Sequence, residues 1–529
     1  MALTATQVHQ KPWPELDRFS VTTPSLVSEA TRILGDQIAI SDGGTTLTWR
    51  QLGQHVDLKA NLVRSHGVQR GDVVSIQLPN WWETVVYTLA TWRIGAVVNP
   101  VTPIYRGTEL RTIFEMAKPA LVLCPEDFGG IDYLTMSEQA LAGASNTAPV
   151  AVVGRGADGI LTTGMAPSLE ILNDDELSAD SVSLLMFTSG TTGRPKGVLH
   201  SHRTLLYETW SIAERFSLQQ PRVFMPSPLT HITGLLYGIL LPILTYGSVV
   251  LQDRWVPATA VDLIEQERCT FCVGATPFLA GLVQEYRGRG HVSCLDSFVC
   301  GGADVPPDVI RAAEDVMGTI AVRAYGMTEI PTLTCGSPSD SVSARSSDDG
   351  ALIGSSEARL VDRKGEVGSL EARCPEMFLG YLDPNDNQRA FTSDGWLRTG
   401  DLALIRGPNV QIVGREKDII SRGGENISPV EVEVILRELP GVSEIAVVGI
   451  PDSILGERAC AMIVPDGKPP TLSDLVAHID SNQLARQKAP EHLLICHDGL
   501  PRTASGKIQR FLLREIAIQR LGNGEGESR

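Results

Sequence analysis

Short apolar runs alternate with amphipathic stretches along most of this chain. Asp72–Leu78 reads as a strand, Trp81–Ile94 as a helix and Ala96–Asn99 as a further strand. Leu184–Phe187 is a continuous apolar run of strand length and reads as a buried strand. Ser248–Leu251 and Cys269–Val273 are strand candidates, with helical spacing over Val261–Arg268 between them. The alternation continues toward the C-terminus. Val430–Glu438 reads as a helix, Ile445–Val448 and Cys460–Val464 as strands, and Thr471–Gln483 as a helix. Strands that alternate with helices build parallel or mixed sheets with helices on their faces, so the pattern predicts an α/β fold. Ser341–Gly350, rich in Ser and Asp, reads as a loop, and the polar, Gly-rich tail Gly522–Arg529 as disordered.

A chain of 529 residues is too long for one hydrophobic core and calls for two or more domains. The net charge of −17 makes general nucleic-acid binding a poor fit, and no Lys/Arg run offsets it. The most apolar segment, Leu235–Leu251, is interrupted by Pro242, Thr245 and Gly247. It reads as buried core, because a membrane span needs about 18 uninterrupted apolar residues. Met1–Ser20 carries prolines and charges and does not read as a secretory signal. Nine scattered cysteines make no disulfide framework, and Cys269-x-x-Cys272 sits in an apolar run where core packing outweighs metal or redox work. A cytoplasmic enzyme is the expectation.

The chemistry concentrates first in Thr188-Ser189-Gly190-Thr191-Thr192-Gly193-Arg194-Pro195-Lys196-Gly197. Glycines turn backbone N–H groups inward, hydroxyls add donors, and the lysine adds charge, a combination suited to phosphate oxygens. Gly190 and Lys196 have the spacing of a Walker P-loop. Pro195, however, removes a backbone donor, and Gly197 stands where a P-loop carries its magnesium-binding hydroxyl. An ordinary P-loop nucleotidase is therefore disfavoured.

The segment resembles the phosphate loop of the acyl-adenylate-forming enzymes: acyl-CoA synthetases, luciferases and peptide-synthetase adenylation domains. Within that family, Val273–Phe278, Arg422–Ile427 and Pro501–Leu513 resemble bacterial short- and medium-chain acyl-CoA synthetases and cyclohexanecarboxylate-CoA ligases. Further segments of that family come in order: Tyr325-Gly326-Met327-Thr328-Glu329, Thr399-Gly400-Asp401, Gly414-Arg415-Glu416-Lys417-Asp418 and Pro501-Arg502-Thr503-Ala504-Ser505-Gly506-Lys507. The resemblance runs from about residue 28 to about residue 517. It implies a large multi-sheet α/β N-terminal domain over residues 1–416 and a small, mobile α+β C-terminal domain over 417–529. It also implies ATP, Mg²⁺ and CoA as the small molecules used alongside a carboxylic acid, and leaves a homo-oligomer open.

The resemblance assigns roles residue by residue. Thr188, Ser189, Gly190, Thr191, Thr192, Gly193 and Lys196 would hold the β- and γ-phosphates of ATP. Glu329 would bind magnesium, with Thr328 near the α-phosphate. Tyr325, Gly326 and Met327 would line the nucleotide and acyl site. Gly302, Ala303 and Asp304 would pass along the adenine, although residue by residue they also read as a tight turn. Asp401 would accept hydrogen bonds from both ribose hydroxyls, and Arg415 would contact the ribose-phosphate region. Lys507 would bridge carboxylate and α-phosphate during adenylation. His231 would orient the acyl group, and His202 would be structural. Gly423 and Gly424 would line the pantetheine tunnel after the small domain turns about Lys417.

The acyl pocket is expected to draw on His231, Leu235, Val273–Pro277, Gly301 and Met327. Acetate enzymes of the family carry Trp where Met327 stands, so a larger acid, medium-chain or alicyclic, is expected here. Arg323-Ala324 replaces the Gln-Gly common before the tyrosine in related ligases. The competing readings are an acyl-AMP ligase that serves a carrier protein and a non-catalytic nucleotide-binding relative.

Overall fold

The computed structural model describes residues 12–156, 177–188, 195–302, 305–422, 425–452, 455–482, 484–502 and 506–528. The chain divides into two compact units. The first comprises residues 1–357 and 372–397, and the second residues 358–371 and 398–529. The expected boundary at 416/417 thus falls inside the second unit, because residues 398–416 cluster with residues 417–529 rather than with the first unit.

The first unit holds two sheets. One has seven strands in the order 380–381, 196–201, 182–188, 97–100, 73–76, 121–125 and 150–153. Its strands from 182–188 onward are parallel, whereas 196–201 runs antiparallel to both neighbours. The other sheet runs 351–352, 330–335, 320–327, 297–301, 271–274, 222–225, 248–251, 38–42 and 45–48. The middle strands of this sheet are also parallel. Parallel sheets need both faces covered, which is why their strands read as unbroken apolar runs in the sequence.

The helix Trp82–Arg93 lies in the core that joins these sheets. Every residue from Trp82 to Trp92 is buried, and Trp82, Val86 and Trp92 share one cluster with Val74 and Val98 of the first sheet and Ile40 and Val249 of the second. A helix covered on all sides shows no polar face, so apolar length rather than periodicity marks it. Cys269 and Cys272 are buried in a second cluster with Leu282, Phe298 and Ala321, which fits the packing role expected of them.

Three sequence readings shift. The helix expected over Val261–Arg268 begins at Pro257, where a first-turn proline sacrifices no hydrogen bond. The stretch read as a loop at Ser341–Gly350 contains the helix Val342–Ser347, capped by the Ser341 side chain. Buried Arg345 ties this helix down by donating to the carbonyls of Asp340 and Ala321. Arg323, which replaces the more usual glutamine, pairs with Asp349 beside it. Finally, Glu527 and Ser528 in the tail pair with Leu493 and His492, and Glu527 accepts the Leu472 N–H at 2.7 Å.

In the second unit, strands 357–364, 367–373, 397–406 and 409–415 lie side by side in that order. The C-terminal sheet orders 425–427, 420–422, 456–465, 492–495 and 527–528, with 442–452 paired along 456–465. It is covered on both faces. Ile445, Val447, Ala461 and Ile463 pack with the helices Pro429–Leu436 and Leu472–Ser481. Ala446, Val448, Cys460 and Met462 pack with Leu513 and Ala517 of the helix Arg510–Gly522. Thr471 caps the helix Leu472–Ser481 reciprocally with Asp474, a motif worth about 1 kcal/mol.

Candidate active site

The strands Val182–Thr188 and Lys196–Ser201 are antiparallel, with Thr188 directly opposite Lys196. The phosphate-loop candidate therefore connects two antiparallel strands, whereas a P-loop connects a strand to a helix. The chain continues from Lys196 into a strand, so no helix N-terminus directly follows this segment. Ser189, Gly190, Thr191, Thr192 and Gly193 lie outside the described residues, as do Ala303, Asp304, Gly423 and Gly424.

Tyr325-Gly326-Met327-Thr328-Glu329 forms the end of a second hairpin. Met327 pairs with Ile330, so Thr328 and Glu329 are the two residues at its tip. Gly326 is required by packing, because a Cβ there would lie 1.9 Å from the carbonyl oxygen of Pro331. Gly301, one strand away, is restricted similarly by the Ala324 carbonyl at 2.6 Å. Gly302 has φ +77°, a left-handed turn that glycine adopts readily.

Two residues not singled out as site residues fix this tip. His200, fully buried on the strand after the phosphate loop, places Nε2 2.8 Å from the Thr328 carbonyl oxygen. A carbonyl can only accept, so Nε2 carries the proton and Nδ1 faces the Thr204 hydroxyl at 3.1 Å. Burial pushes this imidazole down to about 4, against the pull of the Thr328 hydrogen bond. Tyr381 donates its hydroxyl to Glu329 Oε1 at 2.6 Å. Burial, and then the Glu329 charge, push this phenol far up, so it remains a donor. The Glu329 carbonyl accepts the Phe378 N–H at 2.9 Å. Lys196 places Nζ 4.7 Å from the Tyr381 ring centre and 3.8 Å from Asp386 Oδ1. His202 is buried against Thr23, with Nδ1 3.0 Å from the hydroxyl, and burial lowers it to about 3. That environment suits a structural residue.

His231 precedes the short helix Ile232–Gly234, and its N–H bonds the Pro228 carbonyl at 2.9 Å. Gly234 permits the tight return, since a Cβ there would meet the Pro228 oxygen at 2.0 Å. The helix then widens to a π-turn over Leu235–Leu240. There the Tyr237 hydroxyl donates to buried Glu208 and lies 2.8 Å from the Thr332 hydroxyl.

In the second unit, Asp401 and Arg415 face each other across adjacent antiparallel strands. Arg415 Nε lies 3.1 Å from Asp401 Oδ1, with the carboxylate buried and the guanidinium half exposed. The Thr399 hydroxyl accepts the Asp401 N–H at 3.1 Å and donates to the Leu370 carbonyl at 2.8 Å, fixing the turn. Lys507 comes directly after Gly506, at φ +83°, in a loop closed by the bridge between Arg502 and Ile508.

Glu329 supplies one buried carboxylate whose Oε1 is occupied, and no group of three or more His, Cys, Asp or Glu side chains forms a metal cage among the described residues. A lone buried carboxylate such as Glu329 fits magnesium, which takes one or two carboxylates and completes its shell with phosphate oxygens and water.

Comparison with known proteins identifies the family. Residues 27–382 match the AMP-binding enzyme family, and residues 431–507 match the AMP-binding enzyme C-terminal domain. The chain belongs to this family and is an enzyme of its ligase class. It is 35% identical over 521 residues to a medium-chain fatty-acid–CoA ligase of Escherichia coli K12, covering 93% of this chain and 90% of that one. It is 33% identical over 542 residues to a salicylyl-CoA synthase / salicylate adenylyltransferase of a Streptomyces species, covering 96% and 97%. The ATP-bound crystal structure of MatB from Rhodopseudomonas palustris matches with a TM-score of 0.84 and 28% identity over 94% of this chain and 99% of that one.

Proposed function

We propose that this chain is an ATP-dependent acid–CoA ligase. It joins a carboxylate to AMP, releases pyrophosphate, and then transfers the acyl group to the thiol of CoA. The observation that carries the reading is the Lys196–Tyr381–Glu329 contact. It brings a cation from the end of a Gly/Ser/Thr loop to the ring face of one phenol and a buried carboxylate at a hairpin tip to its hydroxyl. Adenylation needs this pairing of charges, one to neutralise phosphate oxygens and one to hold a cation. Magnesium held by Glu329 would neutralise phosphate charge as it is displaced. Thr328 would face the α-phosphate, and Lys507 would add its charge where negative charge builds as the carboxylate oxygen attacks the α-phosphorus and pyrophosphate leaves.

Asp401 would accept the ribose hydroxyls, and Arg415, its cross-strand partner, would reach the ribose-phosphate region. Gly302, Ala303 and Asp304 would line the adenine, and Tyr325, Gly326 and Met327 the junction of nucleotide and acyl group. His231 would orient the acid. The C-terminal domain, hinged at Lys417, would present Lys507 for the first step and Gly423-Gly424 for the second. The acid is proposed to be medium-chain or alicyclic, because Met327 leaves room that an indole would fill. All nine cysteines are held as thiols, which supports a reducing, cytoplasmic setting.

The test is incubation with ATP, Mg²⁺ and a panel of acids, with pyrophosphate release measured with and without CoA. A CoA ligase turns over fully only with CoA. Equal release without CoA identifies an enzyme that stops at acyl-AMP. No release with any acid identifies a binding-only relative.

A further inference from the structure

The phosphate-loop lysine and the hairpin-tip carboxylate carry opposite charges in one partly buried region, yet they form no ion pair within 4.0 Å; the pairing of Lys196 is to Asp386. Left to approach, such a pair would neutralise itself, and ATP and its cation would have to break it before binding. Tyr381 contacts both groups. Its hydroxyl holds Glu329 Oε1 at 2.6 Å, and its ring face holds Lys196 Nζ at 4.7 Å from the centre. The phenol is 7% exposed and anchored by Phe378, whose ring lies 4.8 Å away. The neighbouring backbone is tied to the phosphate-loop strand, since Leu382 N–H bonds the Gly197 carbonyl at 2.7 Å. Lys196 and Asp386 also border a polar cavity of about 370 Å³.

We propose that Tyr381 is a positioning residue that keeps Lys196 and Glu329 apart and poised, the ring acting on the lysine and the hydroxyl on the carboxylate. The inference rests on the proposed ligase function and adds a residue to it. Each half of the side chain has its own consequence. The hydroxyl fixes one carboxylate oxygen and so orients the other; losing it should weaken cation binding. A neighbour that orients a metal ligand typically contributes about 10–100-fold in metal affinity. The ring is both spacer and cation-π platform for the lysine. Losing it should let Lys196 close on Glu329, which would weaken ATP binding even without metal.

The experiment compares Tyr381→Phe and Tyr381→Leu with the wild type. ATP binding is measured by calorimetry in EDTA, and the Mg²⁺ concentration for half-maximal pyrophosphate release is measured separately. Tyr381→Phe should raise the Mg²⁺ requirement about 10-fold, and its metal-free ATP binding should fall far less than that of Tyr381→Leu. Tyr381→Leu should weaken metal-free binding about fivefold or more, as expected when an ion pair must be broken first. Adding Glu329→Gln to Tyr381→Leu should restore that binding, because the neutral amide no longer captures the lysine. If Tyr381→Leu does not fold, as judged by its thermal transition, the Mg²⁺ titration of Tyr381→Phe decides alone. An unchanged Mg²⁺ requirement in Tyr381→Phe, or a loss in Tyr381→Leu that Glu329→Gln does not relieve, overturns the proposal. A wild-type chain that binds no ATP overturns the ligase function, and this inference with it.

Discussion

His200 donates its Nε2 proton to the backbone carbonyl of Thr328 at 2.8 Å, tying the strand after the phosphate loop to the tip of the second hairpin. Replacing His200 with Leu keeps bulk but leaves a part-buried carbonyl unpaired, at a cost of about 1–3 kcal/mol. The hairpin tip should loosen and pyrophosphate release should fall. Because the folded imidazole titrates at about 4 against an ordinary 6.5, the unfolded chain takes up the proton first as pH falls. The stability present above pH 6.5 is therefore lost between about 6.5 and 4, by about 3 kcal/mol from this group. Denaturant unfolding across that range should show a shallower acid loss in His200→Leu than in the wild type. An unchanged slope would mean that His200 is not the buried neutral group described.

Glu208 gives the opposite pH dependence. It is fully buried, accepts the Tyr237 hydroxyl on Oε1, and has no hydrogen-bond partner for Oε2 among the described residues. Burial, and then the charge of Glu376, raise its carboxyl above the ordinary 4.5. The folded state then holds the proton more tightly than the unfolded state, so this group's contribution is lost as pH rises above 4.5. Glu208→Gln removes the titration while keeping an acceptor for Tyr237. Its stability relative to the wild type should improve steadily from pH 5 to pH 8. A difference independent of pH would contradict the assignment.

The sequence reveals these elements unevenly, for physical reasons. The helix Trp82–Arg93 and the strands around it are legible because parallel sheets covered on both faces demand unbroken apolar runs. The close succession of Gly, Ser, Thr and Lys at 188–197, and of Tyr, Gly and Glu at 325–329, marks both segments in the sequence, and each lies at an end of an antiparallel pair of strands. His200 and Tyr381 carry no such local signal, because their partners Thr328 and Glu329 lie 128 and 52 residues away. A hint exists for His200: it shares strand parity with Lys196, so both side chains project from the same sheet face. The helix Val342–Ser347 hides behind Ser and Asp because the buried contacts of Arg345 and Arg323 hold it, not an apolar stripe.

The Asp401–Arg415 pair predicts an asymmetry. Asp401 is buried, whereas the Arg415 guanidinium is 43% exposed and can turn to water when its partner is removed. Arg415→Met strips a buried carboxylate of its guanidinium and should cost about 1–3 kcal/mol. Asp401→Asn should cost about 1 kcal/mol or less in stability. The order reverses for nucleotide binding: a carboxylate that accepts two ribose hydroxyls loses charge-assisted bonds on becoming an amide. Asp401→Asn should raise the KM for ATP about tenfold or more. Unfolding curves and ATP titrations of the two variants decide both orders, and a larger stability loss in Asp401→Asn would count against this reading of the pair.

Lys507 sits next to a glycine in left-handed backbone, at φ +83°, within a short bridged loop. Such a loop can present a side chain to one step without joining a packed core. Lys507→Ala should reduce acyl-AMP formation about 100-fold or more, the scale of losing one charge-stabilising group. Thioester formation from supplied acyl-AMP and CoA should survive. Equal loss of both half-reactions would rule out a lysine that serves the first step only.

Met327 gives the sharpest test of substrate size, because its place is fixed from both sides. It ends the strand Ile320–Met327 and pairs with Ile330 across the Thr328-Glu329 tip. Gly326 beside it packs its backbone tightly against the next strand, with the Pro331 carbonyl 1.9 Å from where a Cβ would stand. With the backbone so constrained, an indole at 327 would extend into the proposed acyl side of the site. Overpacking of that kind costs about 1–3 kcal/mol wherever the space is already filled. A medium-chain or alicyclic acid would fill it, and acetate or propionate would leave it empty. Met327→Trp should thus lower kcat/KM for the larger acids about 10- to 100-fold relative to the short ones. The ratio cancels any general loss of folded enzyme, which the thermal transition measures separately. If all acids lose activity by one factor, residue 327 does not set acyl size, and the medium-chain or alicyclic assignment loses its physical basis.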